Sequence, residues 1–505
     1  MTIINVPGFG NLDIEETLKA LDRADCEDSL YTFLQYSWRW IDASPFVPGW
    51  PIEAVAEHLQ AIADGDIRRL IINIPPRCAK PVRHDALITT REDGLIPLAD
   101  VRVGHHVLTH MGRFRRVLNV HRQGILPTYK LTTRRGRVTY AAGDHPYLTP
   151  DGWRELRTIV ADDVVATVPC YAECGRPTVS IEEARLLGYL IGDGQCRSTP
   201  NITVADDIES ADIHHVIQAC GFASNEQSYK FTKKNSTKLR RITIKSAIKF
   251  TNERYKKGFR GPVLQFLDKH KIANGNSYTK MIPDAIMRGN NDIVAAYLGA
   301  YWACDGYVTT KGAKRDGTQR TDMVIGCDSV NYKMLRQVQT LLLRLGITSN
   351  IRTKIANIRT EKQGDKYTSY SLSLAKQDDC WRFACAIKIP HEKGRKLEEV
   401  KKRRFDFDHV LIGDVVNSVE PDSDAECLCL TVDEDASFVA DGFAVHNSSI
   451  TSVAFPAWVW AQRFISPTSG PGVQFLHASY AQQLSLRDSV KCRRLIESPW
   501  YQSLW

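Results

Sequence analysis

Apolar residues in this chain cluster in short runs whose lengths and periods differ from one segment to the next. Leu70–Ile74 is a mostly aliphatic run closed by Pro75-Pro76. It is too short for a helix and predicts a buried strand. The chain then passes through Arg77-Cys78-Ala79-Lys80 to Pro81 and a polar, strand-like segment. Two stretches, RLLGYLIGDG (185–194) and YLGAYWACDG (297–306), are apolar on nearly every side and end in Asp-Gly. They predict two buried helices, each presenting an acid at its end, and Ser180-Ile181-Glu182-Glu183 forms a capping-box start for the first. Segment 229–250 interleaves Lys and Arg with strand-forming residues, which suits a sheet with a basic face. Downstream, 393–407 is a charged stretch that predicts a helix returning to an earlier domain, and Ser448-Ser449 opens a helix-compatible stretch rich in Ala, Val and Trp.

Composition narrows the class without naming it. At 505 residues the chain has room for several domains, and 43% apolar with 25% charged residues is ordinary globular chemistry. The formal charge of +8 is unevenly placed, with basic runs at 229–250, 311–320 and 352–366 that would neutralise nucleic-acid phosphates. Thirteen cysteines have no C-x-x-C spacing, and Met1-Thr2-Ile3-Ile4 does not begin a secretory leader. Reduced thiols in a cytoplasmic protein are expected. No apolar run approaches the roughly 18 residues of a membrane helix, so no membrane partner is expected.

The candidate chemistry begins with a residue in the wrong place. A strand delivering a lysine to a turn should be followed by Ser or Thr and a helix if the turn is to cradle phosphate. Lys80 is followed by Pro81 instead. Joining Lys80 to Ser448 restores strand, turn, Lys-Ser and helix, with Ala79 where glycine usually precedes the lysine. Backbone N–H groups and Arg77 would then face phosphate, Lys80 would reach the terminal phosphates of ATP, and Ser448 would hold Mg²⁺.

The interrupting segment, Pro81–Asn447, ends in His446-Asn447 before Ser448 and resembles an intein. DALITTREDGLIPLADVRVGHHVLT (85–109) resembles the N-terminal block, and AGDHPYLTPDGW (142–153) the second, whose histidine is His145. CLCLTVDEDASFVADGFAVHN (427–447) is similar to the two C-terminal blocks. The resemblance implies protein splicing without a cofactor, but Pro81 carries no side-chain nucleophile to start it. Two minority routes remain. Cys429 sits where one intein class carries an internal nucleophile, and the sequence favours it; in the other route Ser448 attacks directly. The chain departs from the Cys-dependent class at Tyr147, where Trp is typical, and at Val445, where Thr is frequent; Ala142 also replaces a usual Thr. His145 is expected to protonate the leaving amide nitrogen, His446 to assist cyclisation of Asn447, and Pro81 to ease breaking of its own tertiary amide.

Within the insert, the two Asp-Gly helices resemble the motifs of LAGLIDADG homing endonucleases. That resemblance implies an α+β domain with two saddle-like sheets, Asp193 and Asp305 holding Mg²⁺, and double-stranded DNA as partner. Gly188, Gly192, Gly299 and Ala303 would let the helices pack closely, and Cys304 stands where Ala or Asp is usual. YTKMIPDAI (278–286) makes Lys280 a candidate active-site lysine, and LLLRLGI (341–347) resembles the terminal block. The flanks, WRWIDASPFVPGW onward and the stretch to Trp505, resemble the start of a phage terminase large subunit. This implies DNA packaging in a bacterial host, with other terminase subunits and the portal as partners. No acidic strand to hold Mg²⁺ and activate water precedes Trp505, so only part of a motor is expected. The expected architecture is multi-domain: pieces of an α/β P-loop ATPase at 1–80 and 448–505, an all-β horseshoe splicing domain at 81–180 and 395–447, and an endonuclease at 181–394. The competing expectation is a motor fragment interrupted by a decayed insert that no longer splices.

Overall fold

In the computed structural model the strand Ala425–Val432 is buried on both faces from Cys427 onward, which requires a position inside a sheet. It pairs antiparallel with Phe114–Leu126 on one side and with Val82–Arg83 on the other. The structure describes residues 3–6, 10–41, 46, 50–70, 81–229, 239–247, 261–310, 323–357, 366–374, 376–401, 410–435, 437–446, 454–462, 470–475 and 482–505. Strands from 82–167 and 412–446 join in one 14-stranded antiparallel sheet around a core of Val82, Ile88, Tyr147, Leu428, Phe438 and Phe443. Register shifts where Phe114–Leu126 meets Ala425–Val432 add bulges, which bend a strand and increase its twist.

Between these strands lies the α+β region. Ser180 accepts a hydrogen bond from the Glu183 N–H at 3.1 Å and caps the first motif helix, Ile181–Ile191. The Glu183 side chain does not return the bond of a reciprocal box; it binds His270 and Lys269 at 2.7 and 2.8 Å. Asn290 caps the second motif helix, Asn291–Asp305. A Cβ on Gly188 would lie 2.5 Å from the Tyr297 carbonyl oxygen, and one on Gly192 2.5 Å from Cys304 Cβ, so these glycines do set the helix–helix approach. Gly299 has another function: its missing Cβ makes room for the Lys388 carbonyl rather than for the first helix. Each motif helix feeds a four-stranded antiparallel sheet. Gly194–Gln195, Asn201–Val204, Leu239–Ser246 and Phe222–Tyr229 form one, and Gly306–Thr310, Met323–Ser329, Lys366–Leu374 and Ser349–Asn357 the other. Basic residues 311–320 and 358–365 lie outside the described residues, as do 230–238.

The β-sheet region and the α+β region share one compact unit, Lys80–Pro150 with Arg154–His446. Arg344, only 2% exposed, donates to the Cys174, Met287 and Gly289 carbonyls at 2.5, 3.0 and 2.5 Å and to Cys174 Sγ at 3.0 Å. It therefore pins the segment that leaves the sheet at Thr167 to the turn that precedes the second motif helix. The charged helix expected at 393–407 runs from Glu392 to Lys401 and stays with the α+β region, because Leu397 is buried in that core.

A second unit comprises Met1–Ala79, Asp151–Trp153 and Asn447–Trp505. Helices Ile14–Asp28, Leu30–Ile41 and Trp50–Ala63 from one flank share a core with Ala454–Ala461, Gln482–Ile496 and Pro499–Leu504 from the other. Trp458 donates its indole N–H to the Cys26 carbonyl at 2.8 Å, and Trp505 donates to Glu27 at 3.1 Å. Apart from the hairpin Ile3–Val6/Gly10–Asp13 and the start of strand Gly152–Glu155, its described elements are helical. Residues 71–80 and 447–453, including Arg77, Lys80, Asn447 and Ser448, lie outside the described residues.

Replacing Arg344 by Met would strand several buried carbonyls. The expected loss is about 3 kcal/mol or more, read as a lower urea midpoint. A change within experimental scatter would show that Arg344 does not hold the two regions together.

Candidate functional site

The first two residues described after the Lys80 junction are locked inside the sheet. The Pro81 carbonyl accepts the Ala142 N–H at 3.0 Å, and Val82 pairs with Ala141 on one side and Leu428 on the other. Arg83 pairs with Cys427. One more step along this antiparallel register brings Cys429 opposite Pro81. Cys429 is fully buried in strand Ala425–Val432, and Cys427, also buried, has its thiol pushed up to about 11, chiefly by burial.

The other end of the insert arrives at the same place. Strand Phe443–His446 pairs Val445 with both Phe438 and Tyr147. His145 is fully buried, and its ring meets Tyr147 and Phe438 edge-on with centroids 5.7 and 6.4 Å away. Its own N–H reaches the Ala142 carbonyl at 3.0 Å, so one turn holds both the histidine and Pro81. Tyr147 and Val445, the two departures from the Cys-dependent class, are therefore direct cross-strand neighbours. Burial raises the Tyr147 phenol, so it stays protonated at neutral pH. His446 extends the strand opposite Ser437.

Sequence reading missed a histidine. His121 is paired directly opposite Cys429, which sets both side chains on one face of the sheet. Its Nε2 lies 2.9 Å from Thr431 Oγ1. Nothing in the local sequence marks His121, because only the pairing brings it to the thiol.

The second cluster lies where the motif helices end. Asp193, Glu209 and Cys304 each place a donor atom within 4.8 Å of the others. Asp305 is raised to about 7 by burial and by the Asp193 charge, and Glu209 to about 7 by burial and by Asp193. Asp193 is itself raised, chiefly by desolvation. Glu209, from helix Asp207–Ala219, was not anticipated, since its sequence neighbourhood resembles an ordinary helix start. Lys280 does reach this centre. Its ammonium is buried and donates to the Leu190, Ile191 and Gly194 carbonyls at 2.8, 3.1 and 2.6 Å. Lys393 repeats the arrangement on the second helix, donating to Ala303 and Cys304 carbonyls at 2.7 and 3.2 Å. Burial lowers both lysines. Each helix C-terminus thus has a cation on its free carbonyls beside a carboxylate, which suits both the helix dipole and the acids. The charge pattern expected only to return the chain hid Lys393.

The carboxylates of Asp193, Glu209 and Asp305 converge beside the Lys280 and Lys393 ammonium groups, and hard oxygen donors of this kind fit Mg²⁺. Residues 292–388, which hold the second motif helix and its sheet, match the LAGLIDADG-like domain family. The chain is 29% identical over 271 residues to the replicative DNA helicase DnaB of Rhodothermus marinus, covering 53% of this chain and 27% of the relative. It is 25% identical over 246 residues to the protein RecA of Mycobacterium tuberculosis, covering 47% and 28%. The chain thus spans about a quarter of the length of these relatives. Matches this long exceed either flank, so well over half of each falls within Pro81–Asn447. A Ssp DnaB mini-intein variant aligns with 73% of this chain and 99% of its own at 10% identity and a TM-score of 0.25. WhiA of Thermatoga maritima aligns with 46% and 63% at 13% identity and a TM-score of 0.27. Among the described residues, no helix is long and apolar enough to cross a membrane.

Metal-free protein should become less stable as pH rises from about 4 through about 7, because Asp305 stays protonated when folded but ionises when unfolded. In Asp305→Asn the Asp305 share of that loss disappears, while the share of Glu209, also raised to about 7, remains. Urea unfolding in chelator should show the variant's advantage over wild type growing between about pH 4 and about pH 7 and levelling off above that. An advantage independent of pH would contradict the assigned protonation.

Proposed function

We propose that this chain is a self-splicing protein that excises Pro81–Asn447 and joins Lys80 to Ser448, with a DNA endonuclease carried inside the excised segment. The observation that carries the splicing reading is the convergence of both ends of the insert on His145. Pro81 is bonded to the turn that holds this histidine, and the strand ending in His446 runs beside Tyr147 and Phe438, which hold its ring.

The register that sets Cys429 opposite Pro81 favours Cys429 as first nucleophile. Its thiolate adds to the Lys80 carbonyl carbon, and His121, facing it across the strands, is suited to take the thiol proton. The Lys80–Pro81 bond breaks, and the Pro81 nitrogen takes a proton from His145. Ser448 Oγ then displaces the Cys429 sulfur, converting thioester to ester. The Asn447 side-chain nitrogen attacks its own backbone carbonyl, breaking the Asn447–Ser448 bond as His446 supplies a proton. The freed Ser448 amine attacks the ester, leaving an ordinary Lys80–Ser448 amide. Direct attack by Ser448 on Lys80 is the alternative first step. No cofactor enters any of these steps.

For the endonuclease, Asp193 and Asp305 would hold Mg²⁺, which supplies charge neutralisation at a scissile phosphate of double-stranded DNA. Lys280 and Lys393 keep the helix ends and both acids in place. The natural DNA target is the host gene lacking the insert. The host itself we read as the start of a phage terminase large subunit, from the flanks at residues of about 20–80 and 448–505. No terminase is among the relatives compared above. After ligation Arg77, Lys80 and Ser448 would bind ATP with Mg²⁺, and the motor would work with other terminase subunits and the portal in the cytoplasm of a bacterial host. Tyr147 and Val445 favour one competing reading, a motor fragment whose insert has decayed.

Expression of the chain decides between them: splicing yields two products, the released insert and the joined flanks, whereas persistence of the full-length chain would refute splicing. With Cys429 as nucleophile, Cys429→Ala should abolish splicing and Ser448→Ala should accumulate a thiol-cleavable intermediate. His121→Ala should slow the first step by about tenfold or more, as loss of a positioned base does, with partial recovery at high pH. Unimpaired splicing in Cys429→Ala would move the first attack to Ser448.

A further inference from the structure

A cleft of about 240 Å³ lies between the strands that bracket Pro81 and helix Tyr332–Arg344 of the α+β region. Neither splicing nor DNA cleavage uses it. Its charged lining is Arg83, Arg137, Lys333 and Arg336 against Asp85 and Asp441. Four cations thus face two carboxylates, and Arg83 is already paired with one of them, which leaves Arg137, Lys333 and Arg336 facing Asp441. Asp85 pairs with Arg83 at 2.6 Å, and Asp441 Oδ1 accepts the Leu87 N–H at 3.0 Å. Arg83 also reaches Asp422 at 3.4 Å and lies over the Tyr140 ring, 3.6 Å from its centroid. Arg336 donates to the Val138 carbonyl at 2.5 Å, and Lys333 stands exposed on the rim.

Arg137 is the anomaly. The residue is 3% exposed, and its buried Nη2 has no hydrogen-bond partner among the described residues. Asp414 bears on it electrostatically; its Oδ2 accepts the Thr133 hydroxyl at 2.8 Å, Arg135 lies 3.9 Å from its Oδ1, and that Oδ1 has no hydrogen-bond partner among the described residues, so the Asp414 charge faces Arg137 without a bond between them. A buried guanidinium with an unmet donor, lining a cleft of net positive charge, calls for an anion with several acceptors.

We propose that this cleft binds a phosphate group, either inorganic phosphate or the terminal phosphate of a nucleotide. A tetrahedral oxyanion offers acceptors in several directions at once, which suits guanidinium forks approaching from different walls. Because the strands form one wall and helix Tyr332–Arg344 the other, an occupant ties the splicing sheet to the endonuclease. The site does not depend on whether the chain splices, since full-length chain and released insert both contain it.

Thermal unfolding of the expressed protein tests this, with potassium phosphate compared against potassium chloride at equal ionic strength and pH. Wild type should show a saturable rise of several degrees by about 20 mM phosphate. Arg137→Met should lose that rise while unfolding, without phosphate, at or above the wild-type midpoint. If Arg137→Met does not fold, Lys333→Ala replaces it: the concentration needed for half the rise should increase several-fold while the phosphate-free midpoint stays unchanged. A parallel ATP titration separates the two sources. Half-saturation at much lower ATP than phosphate supports a nucleotide, and equal or weaker response supports the free ion. Absence of a phosphate-specific rise in wild type, or the same response in the folded variant, would overturn the proposal.

Discussion

The structure depends on the burial of a very short strand. Val82–Arg83 is held between Val138–Ala142 and Ala425–Val432, so the first residues of the insert are interior strand rather than a surface tether. A backbone placed there must satisfy its polar groups through sheet partners, because water cannot reach them. That requirement draws the turn carrying His145 to one side of Pro81 and the strand carrying Cys429 to the other. Strand Phe443–His446 follows through its pairing with Ser437–Ala440 and Tyr147. Two chain positions remote in sequence thus meet around one histidine as a consequence of strand pairing.

The α+β region solves a different problem with the same economy. Two helices pack closely because Gly188 and Gly192 lack Cβ atoms, and their ends then crowd carboxylates into apolar surroundings. The crowding raises Asp305 and Glu209, while Lys280 and Lys393 moderate it from the helix carbonyls. The near-symmetry is not complete. Glu209 and Cys304 stand beside Asp193, so the two acids do not share the same surroundings.

Legibility followed the range of the physics involved. The Ser180 cap, the motif helices and the antiparallel sheets could be read because each rests on contacts local in the chain or on a repeating pattern. Lys393 was hidden inside a charged run that looked like an ordinary solvated helix, and His121 had no pattern at all. Their positions arise from pairings across hundreds of residues, which leave little trace in a local window. Gly299 shows the converse: a small residue in the right motif serves a neighbour other than the one its spacing implied.

The sequence by itself determined the chemistry available: a proline that cannot begin an acyl shift, a cysteine and a serine that can carry one, an asparagine that can cyclise, and two acids at helix ends. It also marked a candidate seam, since joining Lys80 to Ser448 would return a serine to the lysine. Tertiary structure alone decided which groups meet. Strand register paired Leu428 with Val82, one residue from Pro81, and Cys429 with His121, and helix packing brought Lys393 and Glu209 to the acids. It also left Arg137 buried with an unmet donor at a cleft. Side-chain chemistry belongs to each residue, but proximity between residues far apart in the chain exists only once pairing and packing have closed the loops between them.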